Sequence, residues 1–142
     1  MNSYKASPAL NAFVRSMAPP HVVDVNGPAN WEQLQATIYR PFGAPLPVNP
    51  QGAEGSIYDS VETNIAFRAW HDQIHLDLLA DFGSAGEYVV ALEHKRAAKA
   101  AGLPQSDIDA LWADTWLTWL YNAKHGHFPL NPREFVAQCL EA

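Results

Sequence analysis

The sequence predicts a mainly α-helical protein: a single compact helical domain of about four to six helices over residues 1–142. Its N-terminal third is expected to be irregular and rich in proline and glycine, with one short strand at most. Three observations carry this. From residue 57 onward apolar side chains recur at helical spacing. Serine and asparagine stand before several of these runs, where helix caps belong. Most of the 11 prolines fall in the first 50 residues, leaving the rest of the chain free to coil.

The elements follow in order. Ser7-Pro8 reads as a cap followed by proline at the first helical position. It opens a helix from Pro8 to Met17 with Leu10, Phe13, Val14 and Met17 on one face. Ala18-Pro19-Pro20 ends it. Residues 21–25, HVVDV, alternate weakly and suit a short strand, and Asn26-Gly27-Pro28 is a turn. Asn30 caps a second short helix, Trp31 to Tyr39. Residues 40–56, RPFGAPLPVNPQGAEGS, exclude helix and central strand. Phe42, Leu46 and Val48 should pin this segment to the core, as one wall of a cleft. The alternative is a surface wrap without a role.

Four helical patterns make up residues 57–142. The first runs from about Ser56 to Ala80. Asp81-Phe82-Gly83 closes it, and Ser84 with Glu87 forms a capping-box pattern for the second, Ala85 to Ala101. Gly102-Leu103-Pro104 separates the third, which starts at Ser106 with Asp109 as a second capping signal and runs to Ala123. Asn131-Pro132-Arg133-Glu134 opens the last. Cys139, the one cysteine, excludes an internal disulfide and reads as a small buried hydrophobe.

Function is concentrated in RAWHDQIHLDLL, residues 68–79. Ser60, Asn64, Arg68, His71 and His75 share one stripe of the helix, within about 80° of arc at 100° per residue. Phe67 and Ile74 border it on one side, Val61 and Leu79 on the other. A solvated face is normally rich in lysine and glutamate; this stripe has neither, so it is expected to point into protein or a cleft.

His71 and His75 are four apart, a spacing that places two ring nitrogens on one ion. A third ligand is required, and Glu87, just beyond the connection, is the candidate. The capping box makes a competing demand on the same carboxylate. His94, and His125 or His127 on a later loop, are further candidates to complete the site. His-Asp-Gln-Ile-His keeps the histidine spacing of helical zinc sites but has Asp72 where a glutamate base would stand. Asp72 is assigned as base or as an orienting partner of a ring. Arg68 is assigned to hold an anionic or carbonyl group of the substrate.

The resulting expectation is a small hydrolase-type enzyme using a divalent transition metal: zinc, iron or manganese. The alternative is a non-enzymatic binding or interaction protein, of phage or mobile-element type, with structural histidines. Trp112, Trp116 and Trp119, at i, i+4 and i+7, read as core, as an aromatic wall for stacking a ligand or a base, or as a homodimer interface. The net charge of −6 argues against a nucleic-acid partner. No apolar run reaches the ~18 residues of a membrane span, and no signal-peptide core is visible. A soluble, cytoplasmic protein is therefore the expectation.

Overall fold

The computed structural model describes residues 2–142. Six helices dominate them, counting as one the rod that runs unbroken from Gln105 to His125. The helices are α1 (Pro8–Met17), α2 (Trp31–Ala36), α3 (Val61–Leu78), α4 (Ser84–Ala100), α5 (Gln105–Trp112), α6 (Thr118–His125) and α7 (Pro132–Glu141). Between α5 and α6 the rod widens into a π turn, Ala113–Leu117. Among the described residues no helix is long and apolar enough to cross a membrane.

Three expected caps form. Ser7, Asn30 and Asn131 each accept a hydrogen bond from the backbone N–H three residues on, at Leu10, Gln33 and Glu134. Two others do not. Ser84 is already inside α4, whose cap is Gly83, and the Glu87 carboxylate turns away toward the histidines. The rod begins at Gln105, capped by Pro104, so Ser106 and Asp109 form no box; Asp109 accepts from the Gln105 side chain instead. The helix expected from Ser56 starts later. Ser60 is its cap, binding the Thr63 amide, while Ile57 and Tyr58 are buried in the bend before it.

The proline-rich segment holds a strand after all. β1 (His21–Val23) pairs in parallel with β2 (Leu46–Val48), in the register His21↔Leu46, Val22↔Pro47 and Val23↔Val48. Pro47 is tolerated because a two-stranded ribbon has only edges, so a residue without an N–H breaks no central ladder. Leu46 and Val48 are buried as expected, whereas Phe42 is fully exposed and pins nothing.

α3 and α4 form an antiparallel hairpin, shown by the side-chain pairs His75–Glu87 and His71–His94. α1 crosses α3, with Phe13 edge-on to Trp70 at 5.4 Å between ring centroids. The core therefore packs around α3, built from Leu10, Val14, Trp70, Val90, Leu111 and Val136 among others. One face of α3 is left turned toward the proline-rich segment.

Candidate metal centre

The backbone at the end of α3 builds half of the site. Leu79 sits in the left-handed region, φ 50°, where glycine is usual. The Ala80 N–H then donates back to the His75 carbonyl at 3.0 Å, closing the helix with a Schellman turn. The same turn brings the Ala80 carbonyl to the side chain of His75, whose Nδ1–H donates to it at 2.7 Å. The tautomer is set by that acceptor, and Nε2 is left to face the site. Phe82 and Trp31 pack against the ring, and His75 is wholly buried.

The start of α4 builds the other half. Asp81 Oδ1 accepts from the Gly83 N–H at 3.0 Å, turning the chain sharply. Gly86 lies so close to this turn that a Cβ there would meet the Asp81 carbonyl oxygen at 2.1 Å. That close approach delivers Glu87 to the histidines.

Glu87 Oε1, His75 Nε2 and His71 Nε2 form a nearly equilateral triangle. Its sides are 3.0 Å from Glu87 to His75, 3.2 Å from Glu87 to His71 and 3.1 Å between the histidines. Three ligands about 2.1 Å from one ion stand about 3.0 Å apart at octahedral angles, and about 3.4 Å apart at tetrahedral ones. The triangle lies between those values, so this group can hold a metal ion. Without an ion, the His75 Nε2–H donates to Glu87 and a proton fills the same place. Burial opposes the Glu87 charge, but the hydrogen bonds and charges of His71 and His75 outweigh it and hold the carboxyl down at about 2. Burial likewise opposes a charged His75, and Glu87 raises its pKa above 6.5 regardless.

His94 lies behind His71, with Nε2 3.2 Å from His71 Nδ1. It is 1% exposed and stacked on Trp70 at 4.2 Å. Burial, then the nearby His71 and His75, push its pKa well below 6.5, so it is neutral. Its role is to face a ring of the triangle from behind. His125 and His127 do not join the group: they are exposed around Tyr121.

Of the two roles considered for Asp72, the structure does not show the ring-orienting one, and part of the Arg68 guanidinium is engaged by backbone. The rings are oriented by Ala80 and His94, and Asp72 hydrogen-bonds to neither. Instead Asp72 lines the adjoining cavity, its pKa raised by burial against the pull of His71 and His75. The Arg68 Nη1 donates to the carbonyls of Asn49 and Gln51, at 3.0 and 2.6 Å. Much of its donor capacity thus goes to the proline-rich segment, which it ties down as a wall of the cleft.

That cleft has two lobes meeting at His71 and Glu87, with His75 buried behind them. One, about 490 Å³, lies beside Pro28, Ala29, Asp72 and Phe82. The other, about 550 Å³, lies beside Asn64, Asp114, Thr115 and Trp119. Both reach Arg68, His71 and Glu87. Asp114 and Thr115 were not singled out by sequence reasoning. They sit in the π turn, a feature frequent at functional sites but without a sequence signature. The one available signal was an acid set among tryptophans on a helix otherwise packed into the core.

Trp112, Trp116 and Trp119 are half-buried, with Trp116 stacked on Trp119 and Tyr88 edge-on to Trp116; of the three, Trp119 lines the second lobe. Comparison with protein-family models, curated proteins and solved structures gave no significant match, so this centre is read from its own chemistry.

Proposed function

We propose that His71, His75 and Glu87 bind one divalent transition metal ion and that the protein is a small metal-dependent hydrolase. The observation that carries this is the triangle of ligand atoms, 3.0–3.2 Å on a side, opening onto a cleft with two lobes. A purely structural cluster has no need of an adjoining cavity on two sides. Two nitrogens and one carboxylate oxygen suit zinc, iron or manganese. When bound, such an ion supplies Lewis-acid polarisation and acidifies water to near neutral pH.

The chain's own residues supply the rest. Ala80 and His94 hold the two rings so that each presents Nε2, and with it a lone pair, to the same point. Asp72, in the first lobe, is the proton acceptor: burial favours its neutral form, so it takes up a proton more readily than an exposed aspartate. The Arg68 Nη2 remains to steady an oxygen of the substrate, while Nη1 keeps the proline-rich wall in place. Phe67, Phe82 and Phe128 give the cleft apolar walls.

Elemental analysis of untagged protein tests the reading. About one equivalent of zinc, iron or manganese is expected, lost in the His71→Ala/His75→Ala double variant. Absence of metal together with unchanged melting in EDTA would sink it. That result would favour the second reading, a non-enzymatic binding or interaction protein that associates through its tryptophan row. Its supporting observation is the His75–Glu87 hydrogen bond, which satisfies both side chains without an ion.

A further inference from the structure

The second lobe contains polar atoms that neither the fold nor the metal ligands use. Asn64 is 7% exposed, lines the lobe, and its Oδ1 has no hydrogen-bond partner. Thr115, from the π turn, is half-buried, and its Oγ1 is a buried atom without a partner. The buried Tyr58 hydroxyl lies close to the Asp114 carboxyl and outside the lining of the lobe. Buried polar groups are nearly always paired. Two unpartnered atoms on residues that line one cavity mark it as a place where something else supplies the bonds.

We propose that this lobe is a substrate subsite for a neutral, hydroxyl-rich ring, such as a sugar, held by Asn64, Thr115 and Asp114 and stacked on Trp119. The proposal rests on the metal-centre reading only in making this ring part of the hydrolysed substrate. The chemistry of the lobe selects the class. Asn64 and Thr115 are uncharged and offer acceptors, and Thr115 also donates; a hydroxyl both gives and accepts, so it satisfies either. Anions are disfavoured, because Glu54, Glu87 and Asp114 line the lobe against one guanidinium already bound to two carbonyls. Cations gain little, because Glu87 is occupied by the histidines and burial raises the Asp114 pKa to about 7, so its charge is partial near neutrality. The wall suits a ring with an apolar face. Trp119 has one side stacked on Trp116, with 5.4 Å between centroids and 5° between planes, and Phe67 and Phe128 stand nearby. At about 550 Å³ the lobe is within the ~300–1,000 Å³ range of small-ligand sites.

The test uses metal-free full-length protein carrying 5-fluorotryptophan, with the Trp119 resonance assigned through Trp119→Phe. Methyl β-glucopyranoside, butylammonium chloride and sodium acetate are titrated separately and read by fluorine NMR. A saturable shift of Trp119 with the glycoside alone is expected, with affinity reduced at least tenfold in Asn64→Leu and in Thr115→Val. Two variants are used so that one decides should the other not fold. A response to either ion as large as to the glycoside overturns the proposal. So does the lack of any saturable response, or glycoside affinity unchanged in the variants. Zinc titration of the same samples keeps the two readings apart. Stoichiometric zinc without a glycoside response removes the subsite and leaves the metal centre; the reverse result removes the metal centre and leaves the subsite.

Discussion

Replacing Glu87 by glutamine should destabilise the metal-free protein in a narrow pH window, and the size can be worked out. The carboxyl moves from its ordinary 4.5 to about 2 because His71 and His75 face it. At 1.36 kcal/mol per factor of ten, that is about 3 kcal/mol of attraction. Little is lost to solvent, since the Glu87 and His75 side chains are 12% and 0% exposed. A depressed carboxylate contributes stability above its ordinary pKa and loses it as pH falls from 4.5 toward 2. A raised histidine contributes below 6.5 and loses its share as pH rises through its folded value. Both contributions are complete only between about 4.5 and 6.5. Glutamine keeps the shape and one acceptor but not the charge. Urea denaturation in EDTA at pH 5.5 should therefore show Glu87→Gln less stable by about 2–3 kcal/mol, a melting drop of roughly 5–10 °C. The wild type should also lose stability between pH 5 and 3 more steeply than the variant. Stabilities within about 0.5 kcal/mol at pH 5.5, with parallel pH profiles, would refute the electrostatic account of the triangle.

Other outcomes follow from the same geometry. Because His75 must give up the Nε2 proton to ligate, zinc affinity should fall about tenfold per pH unit below its raised pKa; calorimetric titrations giving one affinity from pH 8 to 5 would contradict this. His94→Leu should weaken zinc binding roughly 10–100-fold, and His94→Gln, which restores an acceptor for His71, should recover most of it. Equal affinities in all three proteins would show that His94 only packs. Leu79→Gly should raise stability by about 0.5–1 kcal/mol by relieving the left-handed residue that closes α3, as read by thermal melting. Gly86→Ala should cost about 2–4 kcal/mol and metal binding as well, because its Cβ would meet the Asp81 backbone; a silent substitution would mean the α3–α4 turn is not as tight as described.

Much of this protein is written locally. Pro8–Met17 could be read as a helix to the residue because a cap, a proline and an apolar face agree there. Asn30 and Asn131 mark helix starts for the same reason. The polar stripe on α3 was visible because helical periodicity places Asn64, Arg68, His71 and His75 on one face, and the absence of lysine and glutamate pointed it inward. Glu87 was within reach as a ligand because a short connection makes neighbouring helices antiparallel. What local pattern could not decide was which of two demands Glu87 would meet. The chain turns at Asp81 so that Gly83, not Ser84, caps α4, and the carboxylate is released to the histidines.

Three more features belong to the tertiary structure alone. The Ala80 carbonyl that fixes His75 exists as a partner only because Leu79 accepts a left-handed conformation that its side chain disfavours. The parallel strand through Pro47 forms because residues 21–23 and 46–48 meet across α3, which no short-range pattern encodes. The π turn that presents Asp114 and Thr115 has no residue signature, being one extra residue absorbed by packing. Sequence by itself determined most of the helices, the inward polar stripe and His71, His75 and Glu87 as candidates for one cluster, because periodicity and caps act over a few residues. Only the folded chain decided the triangle's dimensions, the backbone that orients it and the second lobe, because those depend on contacts between segments tens of residues apart.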